Sequence, residues 1–285
     1  APNWGWPSLP IMGLFLLSII SLITFIGWEK KIPHPLVELT LFKNLTFTTL
    51  FSVLLIIQAV AIVFVFLAIF LQNVLHYSPL MAGLLLLPAM VPIMLMAPVG
   101  GHLRDKYGPT LPMFCGALLV VLSLIWIAIF SHNRGYAWLF PGLLVYGIGM
   151  PLILSGIMAP VMNMVNAQQR GMASAIFNCA RQFGNTIGLA LLTGLLASVN
   201  KWQLNSFLHH SPVPLSRLKE QQIDGLLVQS DQAMKAIAHL SLAHIELLKT
   251  AALNAYTNAF SMTLLAAAIL AFLSLFLILK IPRKQ

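Results

Sequence analysis

Gly101-His102-Leu103-Arg104-Asp105-Lys106-Tyr107-Gly108 sets three formal charges between two apolar runs, Leu80 to Gly100 and Pro109 to Phe130. Each run exceeds twenty residues, enough for a helix to cross a hydrocarbon core of about 30 Å. The octet therefore reads as a tight turn at a membrane surface. Its glycines permit a sharp reversal, and Asp105 is placed to favour the positive N-terminal end of the helix that follows.

Composition agrees with a membrane setting. The chain has 285 residues, of which 59% are hydrophobic and only 8% charged, with mean hydropathy +0.89; soluble domains carry about 25% charged residues. The formal charge of +9 comes from 16 Lys and Arg against 7 Asp and Glu. In a polytopic membrane protein this excess belongs to short cytoplasmic loops, so nucleic acid is not an expected partner and the lipid bilayer is. Cys115 and Cys179 lie inside apolar runs and are expected as small core residues rather than a disulfide. The chain opens Ala1-Pro2-Asn3-Trp4-Gly5, with no Met and no charged region ahead of its first apolar run, and is expected to be part of a longer protein.

Seven apolar segments stand out: about Ser8 to Trp28, Phe47 to Leu71, Leu80 to Gly100, Pro109 to Phe130, Trp138 to Pro160, Ala173 to Val199 and Ala251 to Leu279. The connections holding Lys30, Lys31 and Lys43, then Arg104 and Lys106, then Arg170, and the tail from Lys280, fall on one side. By the positive-inside rule that side is cytoplasmic. The C-terminus is then inside, and the stretch from Lys201 to Lys249 faces the periplasm or exterior. Backbone groups in hydrocarbon must pair within their own segment, so the fold is all-α. Pro88, Pro92 and Pro98 predict kinks in the third segment, and Gly184 with Gly188 predicts a close helix crossing in the sixth. In the polar stretch, Pro212 and Pro214 break the chain and Ser230 or Asp231 caps a helix running through Ala236, Leu240 and Leu247. His209, His210, His239 and His244 lack metal-ligand spacing and read as surface residues.

Polar residues inside the membrane are functional candidates by default. Asn178, Arg181, Gln182 and Asn185 recur at spacings of three and four, which aligns them on one helix face. Arg181 lies eleven residues past Arg170, about 16 Å along the axis, too deep to reach the nearer surface. Two readings stand side by side: a stripe lining a transport path or moving interface, and a hydrogen-bonded contact holding helices in register. Gln58 is a further candidate, and Met90, Met94, Met96, Met158 and Met162 would give a soft wall for apolar ligands. No Asp or Glu lies within a run, so no membrane carboxylate is available as a proton relay. No paired carboxylate, Gly-x-Ser-x-Gly, His-Glu-x-x-His or Gly-x-x-x-x-Gly-Lys pattern appears either, so neither an enzyme nor a cofactor is expected.

The octet resembles the signature loop of the major facilitator superfamily through Gly101, Leu103, Asp105, Lys106 and Gly108, with Arg104 between them; Pro109 and Thr110 stand where that family usually has a basic residue. Over most of its length the chain is similar to the C-terminal half of fourteen-helix drug:proton antiporters of the EmrB/QacA subfamily. The stretches that carry this likeness are Glu29 with Pro35-Leu36-Val37 and Leu41-Phe42, then Leu71-Gln72-Asn73-Val74 with Tyr77-Ser78-Pro79, Ala82-Gly83 and Leu87-Pro88. Gly147-Ile148-Gly149 follows, and then Arg181-Gln182-Phe183-Gly184 with Ile187-Gly188-Leu189-Ala190. Pro151 stands near a position where that subfamily has a small residue.

The resemblance implies a linker transmembrane helix and cytoplasmic connector over 1–46, a six-helix C-terminal bundle over 47–279 built of two inverted three-helix repeats, a long outer loop over 200–250 and a basic tail over 280–285. It implies a bacterial inner-membrane efflux transporter for hydrophobic, often cationic, compounds, working by alternating access and proton antiport. The expected partners are the N-terminal half of the same transporter, a small hydrophobic substrate and a periplasmic membrane-fusion adaptor. An exporter of one specific amphiphile, such as a fatty acid or siderophore, and a non-transporting membrane scaffold are the competing readings.

Overall fold

A computed structural model of the chain describes residues 9–29, 31, 38–210 and 242–281. Among these residues there is no strand, as the need to pair backbone groups inside hydrocarbon requires. The helices are α1 (Leu9–Glu29), α2 (Leu45–Ala61), α3 (Val63–Asn73), α4 (Pro79–Leu85), α5 (Leu87–Tyr107), α6 (Thr110–Phe130), α7 (Tyr136–Met164), α8 (Arg170–His210) and α9 (Leu242–Leu279). Counting α2 with α3 and α4 with α5 as one span each, seven are long and apolar enough to cross a membrane. The fold is an all-α membrane protein.

Local chemistry sets the ends. The Asn44 side chain accepts hydrogen bonds from the Thr46 and Phe47 N–H groups at 2.9 and 3.4 Å and caps α2. Ser78 accepts from the Met81 N–H and caps α4, with Pro79 in its first turn. Asn166 and Gln169 form a capping box just before α8. Two spans are interrupted, the first at Ile62 and the second at Leu86. At the second break the Ala89 N–H turns to the Leu86 carbonyl instead of Leu85. Tyr136 Oη then donates to the Leu85 carbonyl at 2.8 Å, satisfying a group that hydrocarbon could not. Pro88 follows this break, whereas Pro92 and Pro98 are carried inside continuous α5. The break at Ile62 has no proline to announce it.

Apart from Glu29, the described residues of α1 are exposed or half-buried. The other six spans form a bundle in two triplets. In the first, α2–α3, α4–α5 and α6 follow in order; in the second, α7, α8 and α9. The leading span of each triplet packs on the middle span of the other, α2 against α8 and α7 against α5, while α9 lies along α6. Because three crossings reverse the chain's direction, the triplets run through the membrane in opposite senses.

Glycines make these crossings possible. A Cβ at Gly184 would fall on the Leu55 carbonyl oxygen, one at Gly188 on the Ala59 carbonyl, and one at Gly147 on the Ala89 carbonyl. Between α6 and α7, Gly116 and Gly149 meet reciprocally, each Cβ position lying 2.5 to 2.7 Å from the other's carbonyl oxygen. Aromatic contacts fill the rest: Phe70 stacks on Phe260 with centroids 4.4 Å apart, and Phe177 of α8 meets Phe47 and Phe51 of α2 edge-on.

Three expectations need correction. The octet is not a turn; its first seven residues are the last two turns of α5, and only Gly108 and Pro109 separate that helix from α6. The stretch 200–250 is not simply a loop, since α8 continues to residue 210 and α9 begins at 242; Ser230, Asp231, Ala236, Leu240 and His239 lie outside the described residues, as do the side chains of His209, His210 and His244. Cys115 and Cys179 are exposed, not core, because each sits on the outer side of a helix whose inner side is already filled.

The glycine crossings yield a stability test. Gly188→Ala should destabilise the protein by about 1–3 kcal/mol, since the obstructing atom is backbone and cannot swing aside. Gly171→Ala, whose Cβ would meet nothing, should be neutral or slightly stabilising. Denaturant unfolding of the purified protein followed by circular dichroism compares the two.

Candidate functional site

The stripe foreseen on the sixth span exists and faces outward. Along α8 the residues Ala173, Phe177, Ala180, Gly184 and Gly188 are buried, a ridge turned to α2. Asn178, Arg181 and Gln182 are exposed and Asn185 is half-buried. At 100° per residue this second set lies about a third of a turn from the ridge. Among the described residues none of its four side chains makes a hydrogen bond or ion pair with another part of the chain. The reading as a register-holding contact within the bundle is therefore not what the structure displays. Gln58 is buried under the α2–α8 crossing, where a Cβ at Gly184 would lie 2.9 Å from its Cβ. The structure thus brings Gln58 beside the stripe, one residue from Asn185.

Exposure across the bundle is uneven. The spans α4–α5 and α8 bury 11% and 17% of their apolar windows, against 44 to 61% for the other four. On the free side of α5 lie Met90, Met94, Leu95 and Val99, and Met158 of α7 is exposed as well. Met96 and Met162 are half-buried, so the methionine wall is only partly open. The lowest hydropathy among the seven spans belongs to α8, so the span with the least claim on lipid is also one of the two barest of the six in the bundle.

The signature residues sit at the basic end, apart from the stripe. Asp105 accepts hydrogen bonds from Arg104 Nε at 2.9 Å and Arg104 Nη2 at 2.7 Å. Arg104 Nη1 then donates to the Ser155 carbonyl of α7 at 3.3 Å. Asp105 thus serves less to stabilise the next helix than to aim Arg104 at the neighbouring span. Lys106 lies over the Tyr107 ring, 5.2 Å from its centre. Gly101 has open space around it, whereas Gly100, outside the motif, is the close-packed glycine, its Cβ position 2.7 Å from Ser155 Oγ. Ser155 and Gly100 were not read from the sequence; a small residue on each of two spans was the available signal. Nearby, Glu38 accepts from Thr40 Oγ1 at 2.9 Å and from Gln169 Nε2, fastening the connector to the α7–α8 turn. No group of His, Cys, Asp or Glu able to hold a metal ion occurs among the described residues.

Residues 2–204 match the Major Facilitator Superfamily. The chain belongs to that family. As such it is a multi-pass membrane protein that stands with transporters and not with enzymes. It is 31% identical over 218 residues to the multidrug resistance protein Stp of Mycobacterium tuberculosis, covering 76% of this chain and 40% of Stp. To the tetracenomycin C resistance and export protein of Streptomyces glaucescens it is 28% identical over 200 residues, 70% of this chain and 37% of that protein. To the multidrug transporter protein MdtP of Bacillus subtilis it is 24% identical over 291 residues, 96% of this chain and 54% of MdtP. The chain thus spans about half, or less, of the curated relatives it matches.

Within the facilitator signature the two end glycines have different duties. Gly108 has φ +81° and ψ 170°, a region that is essentially glycine-only, while Gly101 is ordinary helix. Gly108→Ala should cost about 1–3 kcal/mol of stability, and Gly101→Ala should cost nothing measurable. Thermal unfolding of both variants in detergent decides this; equal effects would mean that the helix does not run through the motif.

Proposed function

We propose that this chain is the C-terminal bundle, with its preceding linker helix, of a multidrug efflux transporter of the EmrB/QacA subfamily. The whole protein would export hydrophobic, often cationic, compounds across the bacterial inner membrane by alternating access, in exchange for protons. One observation carries the reading: an arginine about 16 Å deep in a membrane helix is exposed on the bundle surface among three amides, with no partner among the described residues. A charged side chain at that depth disfavours insertion into lipid by about 2.5–3.5 kcal/mol. Something other than lipid must face it, and a second bundle of the same transporter, enclosing a water-filled path, does so at no such cost. The bare sides of α4–α5 and α8 would then form the inter-bundle surface. Asn178, Arg181, Gln182 and Asn185 would line the path or its moving interface, with Gln58 supporting them from beneath.

The positive-inside rule supports a cytoplasmic basic end and C-terminus, with the far ends of α8 and α9 reaching the periplasm, where a membrane-fusion adaptor would dock. The carboxylate that carries the proton would belong to the other bundle. Among the described residues Glu29, Glu38, Asp105 and Glu246 all lie at or near helix ends. Relatives named for multidrug resistance and for export favour a broad substrate range over one amphiphile. A scaffold would have no use for an unpaired arginine at this depth.

In the full-length transporter, Arg181→Ala should lower ethidium efflux at least about tenfold, the worth of one charge-assisted interaction, while membrane abundance stays normal. Gln182→Ala should have a smaller effect, and Arg181→Lys should restore part of the loss. Unchanged efflux in all three variants at normal abundance would remove the stripe from the mechanism.

A further inference from the structure

The connector ahead of α2 is pinned at two points. At the first, Glu38 Oε1 accepts from Thr40 Oγ1 at 2.9 Å, Oε2 accepts from Gln169 Nε2, and the Glu38 N–H donates to Met172 Sδ at 3.3 Å. At the second, the Phe42 carbonyl accepts from Thr48 Oγ1 at 2.7 Å, and the Phe42 ring meets Phe47 and Phe51 edge-on, with centroids 5.4 and 5.3 Å apart. Gln169 immediately precedes α8 and Met172 lies in its first turn, whereas Phe47, Thr48 and Phe51 belong to α2. The 3₁₀ turn Leu39–Lys43 thus braces the basic ends of the two helices that cross at Gly184 and Gly188.

The partners of Glu38 are selective. Lys43, Lys106 and Arg170 are exposed at this end of the bundle, yet among the described residues Glu38 makes no ion pair. Its carboxylate is engaged by a hydroxyl and an amide instead. Hydrogen bonds to an ionised acceptor are about twice as strong as neutral ones, so this is the strongest single tie between the connector and the α7–α8 turn.

The second partner of Gln169 fixes which way its amide faces. Oε1 accepts from the Asn166 N–H at 3.2 Å in the capping box, which turns Nε2 toward Glu38. One side chain therefore both starts α8 and fastens it to the connector. A crossing holds a helix at one level, about which the helix can still pivot. Gln169 lies fifteen residues from Gly184, about 22 Å along the axis, a long lever arm at which one bond resists that pivot well.

We propose that Glu38 is a positioning residue for transport: through Gln169 it holds the basic end of α8, and so aims the stripe of Asn178, Arg181, Gln182 and Asn185. The inference rests on the role proposed above for that stripe. Gln169 is twelve residues from Arg181, about 18 Å along the helix, so the brace acts on the stripe only by way of the helix between them.

Exchanging donor and acceptor tests this in the full-length transporter. Gln169→Glu keeps the capping acceptor but sets a second carboxylate against Glu38; combining it with Glu38→Gln rebuilds the bond in the opposite sense. Bimane on Cys179, which is exposed on α8, reports the placement of that helix without reference to transport, once Cys115 and any cysteine outside this chain are replaced by Ser. Its emission maximum should shift in Gln169→Glu and return in the exchanged pair. Ethidium efflux by the unlabelled protein at normal membrane abundance should fall at least about tenfold in Gln169→Glu, the weak end for a hydrogen bond to a charged group, and recover in the pair. In an Arg181→Ala background Gln169→Glu should lower the residual efflux less than about twofold, because both changes act on one element. An unshifted maximum in folded Gln169→Glu, a shift without loss of efflux, or efflux that stays low in the pair would each overturn the proposal. Arg181→Ala without effect on efflux, beside a bimane shift that reverts in the pair, would overturn it by a different route, locating the failure in the stripe and not in the brace.

Discussion

Backbone against backbone is the contact on which this bundle turns. Where α8 crosses α2, the carbonyls of Leu55 and Ala59 occupy the space that side chains at Gly184 and Gly188 would need. Where α7 crosses α5, the Ala89 carbonyl does the same at Gly147. In lipid there is no hydrophobic drive to bring helices together, so close packing and weak Cα–H···O contacts carry the association. They demand near-zero clearance, which makes them directional. Turning α8 by one residue would place Asn185 or Phe183 against the Leu55 carbonyl and separate the helices. The glycine ridge therefore decides the outward aim of Arg181 as firmly as any bond that the arginine itself makes.

How much of this was legible varied with the kind of signal. Span count, helical class and the Gly184/Gly188 crossing follow from hydropathy and spacing, and all of them stand. Charge density makes the signature octet read as a loop, while Leu103, Arg104 and Lys106 are good helix formers in their own right. Helix α5 ends where Gly108 takes a conformation closed to other residues, so backbone geometry and not polarity set the boundary. The interruption at Ile62 has no proline or glycine to betray it, and the one at Leu86 shows only through Pro88. A helix leading through Leu247 into the last span is legible in the sequence, whereas the extension of α8 to residue 210 is not, because its periodicity weakens as hydropathy falls. Cys115 and Cys179 read as core residues because they lie within apolar runs, but an apolar run in a membrane helix has an outer side as well as an inner one, and both thiols are exposed on it.

The two ends of the bundle are fastened by different chemistry. At the basic end a carboxylate orients a guanidinium toward the Ser155 carbonyl, so Asp105 and Arg104 act as a charged clamp between α5 and α7. Asp105 is 68% accessible and Arg104 half-buried, and a pair so open to solvent contributes about 1 kcal/mol at most. At the far end the ties are largely neutral: Ser261 to the Ala128 carbonyl at 2.9 Å, His132 to Asn258, and Asn258 to Gln203. Neutral hydrogen bonds are individually worth about as much as the ion pair. Neither end is locked by more than a few kcal/mol, a scale at which a ligand's differential binding is enough to shift a conformational equilibrium.

Arginines sort these roles by the partners they keep. Arg104 has two partners, a carboxylate and a carbonyl, and its place is explained by the fold. Arg170 is exposed at the start of α8, beside the other basic connections. Arg134, exposed in the turn between α6 and α7, is held by the Asn254 amide. Arg181 alone lies eleven residues inside a span and is unpartnered within the described residues. A side chain in that position is stable only if whatever covers it supplies hydrogen-bond acceptors or water. The free energy that insertion of this arginine into lipid would cost is therefore a measure of how strongly the exposed flank of α8 requires a polar neighbour.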